Sequence, residues 1–102
     1  MTNTYQIYLI SDSTGETLDR IFTAIKAQFM NIDYKIHTYS FTRTENQISK
    51  ILIDAEKHLD SIILYSIVDS SLAKYLAKMS NSKNIRIKTR IVKTFPSFFT
   101  PI

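Results

Sequence analysis

The 102-residue sequence contains no cysteine, one glycine and two prolines. The absence of cysteine excludes a disulfide framework, a thiolate zinc site and a cysteine nucleophile, and it fits a reducing compartment. With Gly15 alone, neither glycine-rich phosphate cradle can be built. The dinucleotide fingerprint needs three glycines, and the Walker A loop, Gly-x-x-x-x-Gly-Lys-Ser/Thr, needs two. Apolar runs are too short to span a bilayer, and Met1 to Ile10 lacks the basic start and unbroken hydrophobic stretch of a secretory signal. The expectation is a soluble, cytoplasmic protein without membrane attachment.

Acidic residues are also missing from one end. Met1 to Ser80 holds 8 Lys/Arg against 9 Asp/Glu, whereas Asn81 to Ile102 holds five basic residues (Lys83, Arg86, Lys88, Arg90 and Lys93) and no acidic one. The net charge of +4 is therefore a property of the tail. No aromatic interleaving or nucleic-acid motif accompanies that charge, so nucleic-acid binding is not expected. A chain of this size makes at most one small domain, self-sufficient only if its elements pack completely, and a homo-oligomer stays open.

What is present alternates between two patterns. Tyr5 to Ser11 is a nearly continuous apolar run, as in a central strand covered on both faces. Leu18, Ile21, Phe22, Ile25 and Phe29 then recur at spacings of three and four, predicting a helix from about Glu16 to Met30, with Ser13 and Glu16 as its capping box. Tyr34 to Phe41 reads as a strand. Thr42 with Glu45, or Thr44 with Gln47, could cap the helix that carries Ile48, Ile51, Leu52, Ala55 and Leu59. Ser61 to Val68 is again a buried-strand run, Asp69-Ser70 a cap, and Leu72, Tyr75, Leu76 and Met79 the stripe of a third helix ending near Ser80-Asn81-Ser82.

The order β-α-β-α-β-α calls for an α/β fold with a parallel, Rossmann-like sheet. Ile85, Ile87, Thr89 and Ile91 alternate with Arg86, Lys88 and Arg90, so a fourth strand is expected at an edge, with one basic face. Phe95 to Ile102, with two prolines and three phenylalanines, is expected to be loosely ordered. The division is an α/β domain over 1–84 and a basic tail over 85–102.

Ligands of an open parallel sheet bind outside the carboxyl ends of its strands. Here those ends carry Ser11-Asp12-Ser13-Thr14-Gly15-Glu16, Thr42-Arg43-Thr44-Glu45 and Asp69-Ser70-Ser71. The first combines a helix amino terminus, two hydroxyls and a glycine that permits close backbone approach, which suits phosphate. The competing reading is that Ser13 only caps the helix and Asp12 only turns the chain. Arg43 could grip a phosphate or carboxylate, or form a surface ion pair with Glu45 or Asp69. His37 and His58 are not at a metal-ligand spacing, and no metal site is expected. The candidate anion or phosphate site is thus Ser11, Asp12, Ser13, Thr14, Gly15, Glu16, Arg43 and Asp69, and no catalytic residue is assigned.

The string Ile7-Tyr8-Leu9-Ile10-Ser11-Asp12-Ser13-Thr14-Gly15-Glu16-Thr17 resembles the opening motif of the pyruvate, phosphate dikinase and phosphoenolpyruvate synthase regulatory proteins. Thr42-Arg43-Thr44 and Ile63 to Asp69 followed by Leu72-Ala73 resemble that family in the same order, and the likeness covers about Tyr5 to Asn84. The resemblance implies a bifunctional serine/threonine kinase and phosphorylase. Such an enzyme uses ADP to phosphorylate a threonine of the dikinase, and removes the phosphoryl group with inorganic phosphate, releasing pyrophosphate. It also implies a longer protein whose P-loop lies in a carboxyl-terminal part. The expectation is therefore an amino-terminal piece, truncated or frameshifted after Asn84, holding no cofactor and inactive alone. The dikinase or the synthase would be its partner. The alternative is a non-catalytic α/β module that docks on the dikinase or binds an anion.

Overall fold

The computed structural model describes residues 4–26, 33–58, 60–83 and 85–87. Its elements follow the order β1 (Tyr5–Ser11), α1 (Glu16–Ile25), β2 (Tyr34–Tyr39), α2 (Glu45–Glu56), β3 (Ser61–Ser66), α3 (Ser70–Ser82) and β4 (Arg86–Ile87). The strands form one sheet in the order β2-β1-β3-β4, with every pair parallel. This is an α/β, Rossmann-like arrangement. The first strand is interior, as its apolar run demands, and β4 lies at the edge beside β3. Phe29 and Met30, Leu59, Asn84, and the tail beyond Ile87 lie outside the described residues.

The strand order explains how the faces are covered. From β1 the chain steps outward to β2 through α1, then crosses back over β1 through α2 and continues outward through α3. Right-handed crossovers in opposite directions put α1 on one face and the other two helices on the other. The core divides accordingly. Ile7, Leu9 and Leu64 meet Leu18, Ile21 and Phe22 of α1, and Phe22 packs edge-on against Tyr34 with ring centroids 5.6 Å apart. On the opposite face Tyr8, Ile10, Ile63 and Tyr65 meet Ile48, Ile51, Leu52 and Ala55 of α2 and Leu72, Ala73 and Leu76 of α3. Each fully buried aliphatic side chain contributes about 1.5–3 kcal/mol by leaving water, so the α2/α3 face supplies the larger share.

Polar groups buried by this packing are mostly satisfied. The Tyr8 hydroxyl, in a fully buried residue, donates to Asp54 Oδ2 at 2.7 Å, and its ring stacks on His37 at 4.5 Å. Burial, and then the neighbouring Asp54 carboxylate, push the Tyr8 hydroxyl well above its ordinary value of 10.0. Ser49 and Tyr75 share a 2.7 Å bond between α2 and α3, and Ser61 Oγ donates to the Ala55 carbonyl at the end of α2.

Candidate functional site

Because β1, β2 and β3 run parallel, their carboxyl ends open on one rim. The strand order reverses direction at β1, and the chain leaves β1 and β3 toward opposite faces, so a crevice opens between the ends of those two strands. The three segments singled out from the sequence converge there.

The turn after β1 is held on both sides. Ser11 is buried and its Oγ accepts the amide of Ser13 at 3.1 Å. From the β2 side, Thr42 and Phe41 donate their amides to the carbonyls of Ser11 and Ser13, and Ser40 Oγ donates to the Thr14 carbonyl at 2.9 Å. From the β3 side, Asp12 donates its amide to Ser66 and accepts the Val68 amide on Oδ2 at 2.8 Å. Ser13, Thr14 and Glu16 remain exposed and Asp12 half-exposed, while Gly15 is buried.

The Ser13–Glu16 capping box expected from the sequence is not formed. The N-cap is Gly15 in a left-handed conformation (φ 90°), with no side-chain cap bond. Ser13 sits too early to reach the first helical amides, because the left-handed residue delays the helix. A glycine cap leaves donors open. The Glu16 amide makes a long 3.4 Å contact to Thr14 Oγ1, and the amides of Thr17 and Leu18 have no partner among the described residues. The other two helices close their own ends. Thr44 and Gln47 form a full capping box on α2, one of the two pairs expected, and Asp69 caps α3 through Ser71 and Leu72.

Arg43 belongs to this rim. Its Nε donates to the Asp12 carbonyl at 2.9 Å, and its guanidinium lies 5.2 Å from the centroid of the Phe41 ring. Among the described residues it pairs with neither Glu45 nor Asp69; the ion pair found is Lys83–Glu56 at 3.0 Å. Arg43 as a whole is exposed. Gln47 fixes the backbone beneath by accepting the amides of Arg43 (2.7 Å) and Thr44 (3.0 Å) on Oε1.

Four participants were not singled out from the sequence: Ser40, Phe41, Gln47 as a support of Arg43, and Val68. Phe41 adopts φ 54°, a left-handed conformation uncommon for a bulky side chain, and is 52% exposed; Val68 is 88% exposed. Only Gln47 carried a signal, as half of the capping pair. Among the described residues no cluster of three or more His, Asp or Glu could hold a metal, and no helix is long and apolar enough to cross a membrane.

Chemically, the rim offers the unpaired amide of the exposed Thr17, with that of the buried Leu18 behind it, exposed hydroxyls and one guanidinium, against the carboxylates of Asp12, Glu16 and Asp69. Two of those carboxylates are engaged with backbone amides, so they are part of the frame.

The model of the kinase/pyrophosphorylase family matches residues 7–100. The chain belongs to this family. The matched residues of the kinase/pyrophosphorylase family run past Asn84, into the segment set apart by its charge. Relatives named pyruvate, phosphate dikinase regulatory protein include one from Pelagibacter ubique (strain HTCC1062), 67% identical over 85 residues, covering 83% of this chain and 31% of that protein. Another, from Geotalea uraniireducens (strain Rf4), is 42% identical over 80 residues, covering 78% of this chain and 29% of that protein. A third, from Brucella anthropi, is 38% identical over 100 residues, covering 92% and 35%. The chain thus spans about a third of the length of these relatives.

Proposed function

We propose that the chain is the amino-terminal half of a phosphate-handling site in a protein that regulates pyruvate, phosphate dikinase. In the full-length family, ADP and inorganic phosphate would be the phosphoryl donor and acceptor, and a threonine of the dikinase the target. The observation that carries this reading is the glycine cap of α1. It leaves the Thr17 and Leu18 amides unpaired among the described residues, Thr17 exposed and Leu18 buried, beside the crevice where an α/β sheet receives its ligands, within a rim that also holds Arg43. Family membership supports the same chemistry.

Phosphoryl transfer depends on positioning and on charge stabilisation around the transferred group. The rim supplies amides and a guanidinium for one phosphate. It supplies no glycine-rich cradle for a nucleotide, since the sequence holds a single glycine. The chain alone is therefore expected to bind an anion and to transfer nothing. Titrating the 15N-labelled chain with inorganic phosphate, and separately with ADP, tests this. Amide shifts should concentrate at Gly15 to Leu18 and at Arg43, with phosphate and ADP acting alike through the phosphate group. Unmoved signals there at saturating phosphate overturn the reading.

A second reading, docking on the dikinase without phosphate contact, is favoured by the exposed Phe41 and Val68 at the same rim. Co-purification with the dikinase that survives Arg43→Ala but fails with Val68→Asp would select it.

A further inference from the structure

The register between β1 and β3 shows an exchange of acceptors at the rim. In a parallel ladder, alternate residues of one strand donate their amide to one residue of the neighbour and accept, on their carbonyl, from the residue two positions further on. The even-numbered residues of β1 do this. The Gln6 amide reaches the Asp60 carbonyl, and the pairing proceeds in step until Ser11 stands opposite Ser66. Asp12 continues the pattern on its donor side, its amide reaching the Ser66 carbonyl at 3.2 Å.

By the same step the Val68 amide is due at the main-chain carbonyl of Asp12. It goes to the Asp12 side chain instead, to Oδ2 at 2.8 Å. The vacated carbonyl accepts Arg43 Nε at 2.9 Å. One residue thus satisfies a donor two residues past β3 with its carboxylate and the side chain of the neighbouring loop with its carbonyl.

We propose that Asp12 is a positioning residue that sets Arg43 for anion contact by taking over the Val68 amide, without itself touching the anion. A carboxylate facing a phosphate would repel it, whereas a carboxylate spent on a backbone amide serves as a bracket. The geometry needs an acceptor oxygen one methylene from the backbone, so asparagine meets it. Alanine removes the bracket and lets the Val68 amide compete for the carbonyl that holds Arg43. Glutamate keeps the charge but moves the oxygen. This inference rests on the phosphate reading above for its function, and on the hydrogen-bond exchange alone for its geometry.

The test has two arms on the full 102-residue chain. In the first, solvent exchange of the Arg43 Nε–H is followed by NMR in wild type, Asp12→Asn, Asp12→Ala and Asp12→Glu, with no phosphate present. Asn should keep the slow exchange of wild type, while Ala and Glu should accelerate it by about tenfold, the equivalent of one hydrogen bond lost. In the second arm, inorganic phosphate is titrated into each variant. Asn should keep or tighten the affinity, and Ala and Glu should weaken it by about tenfold on the same grounds. Should the alanine variant not fold, glutamate against asparagine decides alone. Asparagine behaving like alanine or glutamate in the first arm would mean that charge, not the acceptor, matters, and overturns the proposal. All variants exchanging as wild type does overturns it equally. Wild type showing the expected exchange pattern but no phosphate binding refutes the phosphate reading and leaves the bracket standing.

Discussion

Gly15 is constrained by its backbone at the scale of single atoms. Its φ of 90° lies where L side chains are strained, whereas a Cβ there would meet Ser40 Oγ, the hydroxyl that ties the turn to β2, at an ordinary contact distance of 3.4 Å. Gly15→Ala is expected to lower unfolding free energy by about 1–2 kcal/mol from the left-handed backbone alone. Urea denaturation with an unchanged slope would register this. Tyr8 gives a second test. Its hydroxyl ionises higher in the folded chain than its ordinary 10.0, chiefly through burial. The unfolded chain therefore loses that proton first as pH rises. Tyr8 contributes its full stabilisation below pH 10.0 and loses it progressively above. Tyr8→Phe should show a smaller fall in thermal midpoint above that pH than wild type, although at neutral pH it leaves Asp54 without its donor and is the less stable of the two. The residue scale is also where sequence reading was least complete. Ser13 followed by Glu16 satisfies the capping pattern in letters, but the pattern carries no information about the left-handed glycine between them. Nothing in the neighbourhood of Phe41 announces its positive φ.

Elements were far more legible. Near-continuous apolar runs for β1 and β3, an aromatic and β-branched stretch for β2, and helical stripes at three and four located all three helices and the three long strands, because the runs and stripes reflect burial that the fold then realises. The Thr44–Gln47 and Asp69 caps were readable for the same reason: a short polar side chain before an apolar stripe has few other uses. Beyond its cap function, Gln47 also holds the loop that carries Arg43. Thr44→Ala should cost about 0.5–2 kcal/mol, as N-cap deletions do. Gln47→Ala should cost a comparable amount through its lost bonds to the Arg43 and Thr44 amides, and should also weaken phosphate binding. Parallel measurements of chemical denaturation and phosphate titration separate the two effects. What the sequence could not supply was the register between β1 and β3, which decides that Asp12 faces Val68 across 56 residues of chain.

At the scale of the whole molecule the two faces of the sheet are unequal. Among the described residues α1 alone covers Ile7, Leu9 and Leu64, while α2 and α3 together cover the other side. Local opening follows the least-buried unit, so amides in the second half of α1 should exchange with solvent faster than those in the middle of α2 and α3. Native-state hydrogen exchange reads this directly, and slower exchange in α1 would contradict it. The binding rim lies at the amino end of this less protected helix. An anion held at the first amides of α1 should therefore slow exchange throughout α1 and raise the thermal midpoint with the logarithm of ligand concentration once that exceeds the dissociation constant.

The bond from Val68 to Asp12 joins the first strand to the end of the third. Closing so large a loop is entropically costly, and contacts of such separation form late on a folding route. A nascent chain that has emerged only through β2 holds the Ser/Thr-rich turn in letters and lacks the frame that shapes it. Competence to capture phosphate should thus arise in the slowest kinetic phase of refolding, after most of the helical signal has returned.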